Sequence, residues 1–192
     1  GATWDEATEF VFPSDFVQRH ADFYGYAMVS MAAKPSLFDA AIDIMERLHR
    51  DMRYVTQSTD LHTPAHEAFT RREGVCQDFA HILLACFRSV GLAARYVSGY
   101  LLTIPPEGKP RFIGADASHA WVAVHLPLAS GAQWLELDPT NNRWGIGSIG
   151  EDYVVLATGR DYADISPVRG VIHGGADHHM DVSVTVSPVA DY

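Results

Sequence analysis

The sequence predicts an α+β domain in which helices come first and an antiparallel sheet follows. Three observations carry that expectation. Phe79, Leu83, Phe87 and Val90 recur at helical spacing with Ala80 and Leu84 beside them, so residues 76–90 form a helix with one buried stripe. Residues 94–101, 119–126 and 133–137 are β-rich or alternate between apolar and polar types, with turn residues between the last two. Helical patterns end near residue 91 and strand patterns begin there, which separates helices from sheet along the chain.

The elements follow in order. Residues 1–34 carry Trp4, Phe10, Phe12, Phe16, Phe23, Tyr24 and Tyr26 with only partial helical periodicity, and are expected to wrap over the main core as an N-terminal extension. Pro35 and Ser36 open a helix; Ser36 caps it, Asp39 is the capping partner, and Leu37, Ala41, Ile44 and Leu48 form its apolar face to about Met52. Residues 54–63 are polar and read as a loop. Pro64 starts two short turns over 65–72, and Gly74 stops them. The 76–90 helix ends at Gly91, a suitable cap. Residues 104–116 form a loop, 127–132 a turn, and 153–158 another strand. A long loop runs over 159–175, turning at Pro167, and 181–187 alternate as a last strand.

Composition sets outer bounds. The chain has 192 residues, 47% hydrophobic and 20% charged, enough for one domain with a substantial core. Its net charge of −10 and lack of a basic cluster argue against nucleic acid and anionic membranes as partners. No apolar run approaches the roughly 18 residues of a membrane span. The two cysteines, Cys76 and Cys86, would lie on one helix about 15 Å apart, far beyond the roughly 7 Å Cα separation that a disulfide tolerates. Two unpaired thiols suit a reducing, cytoplasmic setting.

Cys76 stands where its helix begins. The first turn of a helix has unpaired N–H groups and the positive end of the dipole, which favour thiolate. A lone cysteine is often inert packing, and Cys86, inside the apolar stripe, is read that way. Cys76 has distant company, however. If 119–126 and 133–137 form a hairpin turning near residues 128–129, His119 and Asp138 meet at the same end of adjacent strands. A cysteine, a histidine and an aspartate so placed are the parts of a thiol triad.

Gly-Val-Cys-Gln-Asp-Phe-Ala-His (74–81), Ala-Arg-Tyr-Val-Ser-Gly-Tyr (94–100), Ser-His-Ala-Trp-Val (118–122) and Leu-Asp-Pro-Thr-Asn (137–141) together resemble the bacterial transglutaminase-like superfamily, whose members include cysteine proteases of papain-like thiol fold. Gly-Arg-Asp-Tyr-Ala-Asp (159–164) and Pro-Val-Arg-Gly (167–170) add to the match, which runs in family order over residues 35 to about 187. The resemblance implies a papain-like, transglutaminase-core fold for residues 35–192. It implies Cys76 as nucleophile, His119 as base and Asp138 as the group orienting it, with no cofactor or metal and a peptide or protein substrate. Family members often carry an acid two positions after the Trp of His-Ala-Trp; here Ala123 stands there. Many also carry an N-terminal β domain, of which residues 1–34 are expected to be the tail end.

The same three residues serve an amide hydrolase, in which water attacks the thioester, and a transglutaminase, in which an amine does. Family analogy favours the hydrolase, a cysteine protease or amidase. A non-catalytic binding domain of the same fold is the rival from another class, and the presence of all three residues counts against it. A zinc hydrolase using His119 with the 173–179 loop is a third reading. His173, Asp177, His178, His179 and Asp181 fit no established zinc spacing and are read as solvated loop. His81 is expected to pack away from Cys76, and Asp78 to serve as a capping charge. Asp161 and Tyr162 are balanced between lining the cleft and plain loop packing. Trp121 is read as core, and Trp144 as a possible groove wall.

Overall fold

The computed structural model describes residues 7–102, 118–128, 131–166 and 183–188. After a 3₁₀ turn at Thr8–Val11 come four helices: α1 (Ala21–Ala33), α2 (Leu37–Asp51), α3 (Ala65–Arg71) and α4 (Cys76–Ser89). Two short strands, β1 (Arg53–Tyr54) and β2 (Glu73–Gly74), pair in parallel among them. Then come β3 (Ala94–Leu101), β4 (Ser118–Leu128), β5 (Gly131–Asp138), β6 (Arg143–Ile146) and β7 (Tyr153–Gly159). These five form one antiparallel sheet in the order β6-β5-β4-β3-β7. Helices followed by an antiparallel sheet is the expected arrangement. No helix among the described residues is long and apolar enough to cross a membrane.

Local chemistry explains the helix boundaries. Ser36 caps α2: its Oγ accepts the Asp39 N–H and donates to Asp39 Oδ2 at 2.6 Å. Arg72 ends α3 in the left-handed region, at φ 58°. Gly91, at φ 82°, follows α4, as a residue without Cβ readily does.

The core lies between the helices and one sheet face. Phe79, Ile82, Leu83, Leu84 and Phe87 of α4 are buried with Ile44, Met45 and Leu48 of α2 and with Val122, Val124 and Leu126 of β4. Each such side chain contributes about 1.5–3 kcal/mol on burial, so α4 is held rigidly from several sides. Phe23, Tyr26 and Ala27 of α1 join this same core. Phe23 and Tyr26 thus reach the main core through a regular helix, where only partial periodicity was visible, while Phe12 and Tyr24 are exposed. Arg88, itself buried, ties the far end of α4 to the Ala94 and Arg160 carbonyls and, at 3.1 Å, to Ser14 Oγ.

Three departures from expectation stand out. Strand β6 pairs with β5 although its apolar residues, Trp144 and Ile146, are the exposed ones. The 54–63 loop begins in strand pairing at Tyr54. Of the strand expected over 181–187, the described residues 183–188 show only an isolated bridge at Val184. The loop at 104–116, the Pro-Val-Arg-Gly segment and the histidine-rich 173–181 segment lie outside the described residues.

Candidate active site

Cys76 is the first residue of α4, and Val75 before it is extended. Asp78 fixes that entry. Its Oδ2 accepts the Val75 N–H at 2.8 Å and the Thr59 hydroxyl at 2.6 Å. Gly74 permits the close approach: a Cβ there would stand 2.7 Å from Asp78 Cβ. Asp78 is therefore the capping acid expected of it. Beside the half-buried Cys76 lies an open depression of about 560 Å³ lined by Thr59, Asp60, Leu61, His62, Val75 and Gln77. Tyr54 has its hydroxyl pKa raised by partial burial and by the charge of Cys76.

The hairpin of β4 and β5 is in the register that brings the other two residues together. Val122 faces Leu137, so one step on Trp121 stands across from Asp138, with His119 two residues further along the same face. His119 Nε2 lies 2.7 Å from Asp138 Oδ2, both groups being buried. Cys76 lies near enough for its side chain to act on the same ring, adding to Asp138 in raising the His119 pKa. The imidazole is held by its neighbours: it stacks on Trp121 at 6.0 Å and meets Tyr153 edge-on at 6.3 Å. Trp121 itself leans over Gly99, where a Cβ would come within 2.6 Å of the indole.

Asp138 is fully buried and ringed by donors. Oδ1 accepts the Thr140 and Asn141 backbone N–H groups at 2.9 and 3.2 Å. Oδ2 accepts Tyr153 Oη and Asn141 Nδ2, each at 2.7 Å, in addition to His119. The turn after it is pinned to α2, since His49 Nδ1 donates to the Pro139 carbonyl at 2.9 Å. Burial pushes the Asp138 pKa up, but these bonds and the His119 charge win and hold it below the ordinary carboxylate value. For His119, burial favours the neutral ring; the bonds and charges of Asp138 and Cys76 outweigh it and bring the pKa up to about 9.

That shift fixes a pH dependence. The folded value of His119 lies above its unfolded value of 6.5, so the stabilisation is fully present below 6.5 and is lost as pH rises through about 9. Asp138 works in the opposite sense, stabilising above 3.8 and losing that contribution only as pH falls through its lowered native value. Urea midpoints should therefore decline between neutral pH and pH about 9 in the native protein, and much less in His119→Gln. A native profile as flat as that of the variant would contradict the ion pair.

The remaining candidates separate cleanly. His81 is buried away from the Cys76 thiol, stacked on Phe16 at 5.4 Å, and accepts the Tyr162 N–H at 3.3 Å; burial brings its pKa down to about 4. Asp161 is buried and accepts the Phe16 and Ala163 N–H groups, and Tyr162 packs on the core, so both hold the loop together. Trp121 is core, donating to Glu136 Oε2 at 2.9 Å. Trp144 is exposed and meets Phe38 edge-on at 5.5 Å. Sequence reasoning gave no role to Tyr153 or Asn141. Asn141 closes the Leu-Asp-Pro-Thr-Asn segment, a signal that pointed to it without a role; Tyr153 carried none beyond opening a strand.

Both cysteines are free. Cys86 is wholly buried, which pushes its thiol up to about 12 and leaves fewer than about one in 10⁴ ionised at neutral pH. Iodoacetamide should accordingly alkylate Cys76 far faster than Cys86, as read by peptide mapping of a timed reaction. Equal rates would contradict the contrast between the two thiols.

Comparison with known proteins bears on the family and the fold. Residues 25–139 match the family described as the transglutaminase-like superfamily. An uncharacterised protein of Mycobacterium tuberculosis is 46% identical over 165 residues, which is 85% of this chain and 51% of that protein. One of Mycobacterium leprae is 36% identical over 140 residues, covering 71% of this chain and 46% of its own length. The chain thus spans about half the length of the curated relatives it matches. Among solved structures it is similar to a "putative cysteine protease" from Cytophaga hutchinsonii, with a TM-score of 0.65 and 26% identity over 83% of this chain and 48% of that one. It is also similar in fold to the periplasmic domain of TgpA from Pseudomonas aeruginosa, with a TM-score of 0.52 and 20% identity over 71% of this chain and 49% of that domain.

Proposed function

The chain belongs to the transglutaminase-like superfamily, and from that premise we propose that it is a thiol-dependent amide hydrolase, a cysteine protease or amidase, acting through Cys76, His119 and Asp138. The observation that carries the reading is the position of His119, held by Asp138 at 2.7 Å and close enough to the thiol at the start of α4 for Cys76 to help raise its pKa. The similarity to the Cytophaga protein supports hydrolysis over transfer to an amine. Two free thiols extend the reading to a reducing, cytoplasmic setting.

The chemistry follows in four steps. His119 takes the Cys76 proton, and the thiolate sulfur adds to the carbonyl carbon of a peptide or protein amide. The resulting oxyanion receives the Cys76 backbone N–H, a first-turn donor with no partner inside the helix. The imidazolium then gives its proton to the nitrogen of the scissile bond, the amine departs, and a thioester remains. Finally His119 takes a proton from water, the hydroxide oxygen attacks the thioester, and carboxylic acid and thiol are regenerated. Asp138 keeps Nε2 protonated throughout, so that the nitrogen facing Cys76 is the one that exchanges protons.

A panel of peptides and glutamine-containing proteins, each with and without a primary amine, tests the reading. New carboxyl termini or released ammonia without amine incorporation support hydrolysis. Incorporation of the amine in preference to water would make the protein a transglutaminase, and no turnover on any member would remove the enzymatic assignment.

A further inference from the structure

Near the starts of α1 and α3, three side chains that the thiol chemistry does not use converge. His20 and Asp22 stand at the start of α1, and His66 stands in the first turn of α3. His66 Nε2 lies 2.8 Å from Asp22 Oδ2, and His20 Nδ1 lies 3.4 Å from the same oxygen. One ligand atom from each residue can be chosen so that all three fall within 4.8 Å of one another. The two imidazole rings are themselves only 3.8 Å apart between centroids. Two imidazoles in that proximity repel if both are protonated, whereas a cation accepting a lone pair from each turns the proximity into an attraction.

We propose that His20, Asp22 and His66 bind one divalent first-row transition ion, Zn²⁺ being the representative case. Tetrahedral zinc with bonds of about 2.0–2.1 Å sets its ligand atoms roughly 3.3–3.4 Å apart. The two nitrogen-to-carboxylate separations already bracket that value. All three side chains are partly or fully exposed, so ordinary rotamer adjustment closes the remaining distance. Nitrogen and carboxylate donors suit zinc better than the hard cations, which take oxygen ligands. Ligation through His20 Nδ1 takes the place of the 3.2 Å hydrogen bond it accepts from the exposed Asp22 N–H, which water can serve instead. Three protein ligands leave a fourth position for water. A cavity of about 450 Å³ lined by Phe16, Phe23, His62 and Pro64 adjoins the cluster and gives the ion room. Bound there, the ion cross-links the start of α1 to α3 across 44 residues of sequence.

Titration calorimetry with Zn²⁺ on chelator-treated protein tests this, using a Cys76→Ser background so that the thiol site takes no metal. One equivalent should bind saturably, and the thermal unfolding temperature should rise with Zn²⁺ concentration. His66→Ala should weaken binding at least tenfold and abolish the temperature rise. His20→Ser should do the same while keeping a good N-cap on α1, so that loss of binding is not loss of the helix. Absence of saturable binding in the parent overturns the proposal. So does binding of equal strength in the His20→Ser, His66→Ala double variant, which would put the ion on other ligands such as the 173–179 histidines.

Discussion

Cys76→Ala should abolish amide turnover on whichever substrate of the panel is accepted. The sulfur of Cys76 is the attacking atom, and no other group in reach replaces it. Cys86, the remaining thiol, is wholly buried nearly three turns along α4 with its ionisation suppressed by burial. The alanine variant should fold normally, because Cys76 is only half-buried and the helix entry is held by Asp78, Thr59 and Gly74. His119→Ala should be nearly as damaging. It removes the proton acceptor and donor, a contribution of about 10²–10⁴ in general, and with it the ion-pair partner of the thiolate. Unlike Cys76→Ala it should also lower stability, since Asp138 loses its charged partner while staying buried. Parallel rate and urea-unfolding measurements separate the two effects. Substantial turnover in Cys76→Ala would remove this cysteine from the chemistry altogether.

Much of this arrangement was legible in the sequence, for identifiable reasons. The α4 stripe repeats at helical spacing and is buried on several sides, so its pattern is strong and its first residue, Cys76, could be located. The β4–β5 hairpin was legible because both strands alternate and the turn between them is short, which is enough to bring His119 and Asp138 together across 19 residues. What lies around Asp138 was less visible. Tyr153 reaches it from β7, two strands away from β4 in the sheet order, through a register that no local pattern encodes. Strand β6 was missed because it is a short edge strand whose residues are half-buried or exposed. Helix α1 was only half seen, because its apolar residues lie all round rather than on one face. The His20–Asp22–His66 cluster was invisible for the simplest reason: its members are 44 residues apart, and only the packing of α1 beside α3 joins them.

Asp138→Asn should keep the fold, lower stability modestly and cut turnover by about 10–10³. The reason lies in the donors around the carboxylate. Oδ2 faces His119 Nε2, Tyr153 Oη and Asn141 Nδ2, while Oδ1 faces two backbone N–H groups. Every one of these can donate, and a carboxylate accepts them all. An amide offers one acceptor oxygen and one donor nitrogen, so whichever way it is turned its NH₂ meets a donor. Turned toward the backbone, it leaves buried N–H groups unpaired, at a cost of about 1–3 kcal/mol. Turned toward His119, it favours the tautomer with Nε2 bare and the proton on the nitrogen facing Cys76, where it blocks uptake of the thiol proton. In a serine triad the corresponding change costs about 10⁴. A thiolate, once formed, attacks without a base, which is why the loss expected here is smaller. The raised His119 pKa should fall with the charge that supports it, so the decline in stability toward pH about 9 should shrink in the variant as well. Tyr153→Phe removes one donor and leaves the carboxylate charge, so it should cost far less in rate than Asp138→Asn. An Asp138→Asn protein with native turnover and a native pH profile would mean that another group orients His119, and that the hairpin contact is structural only.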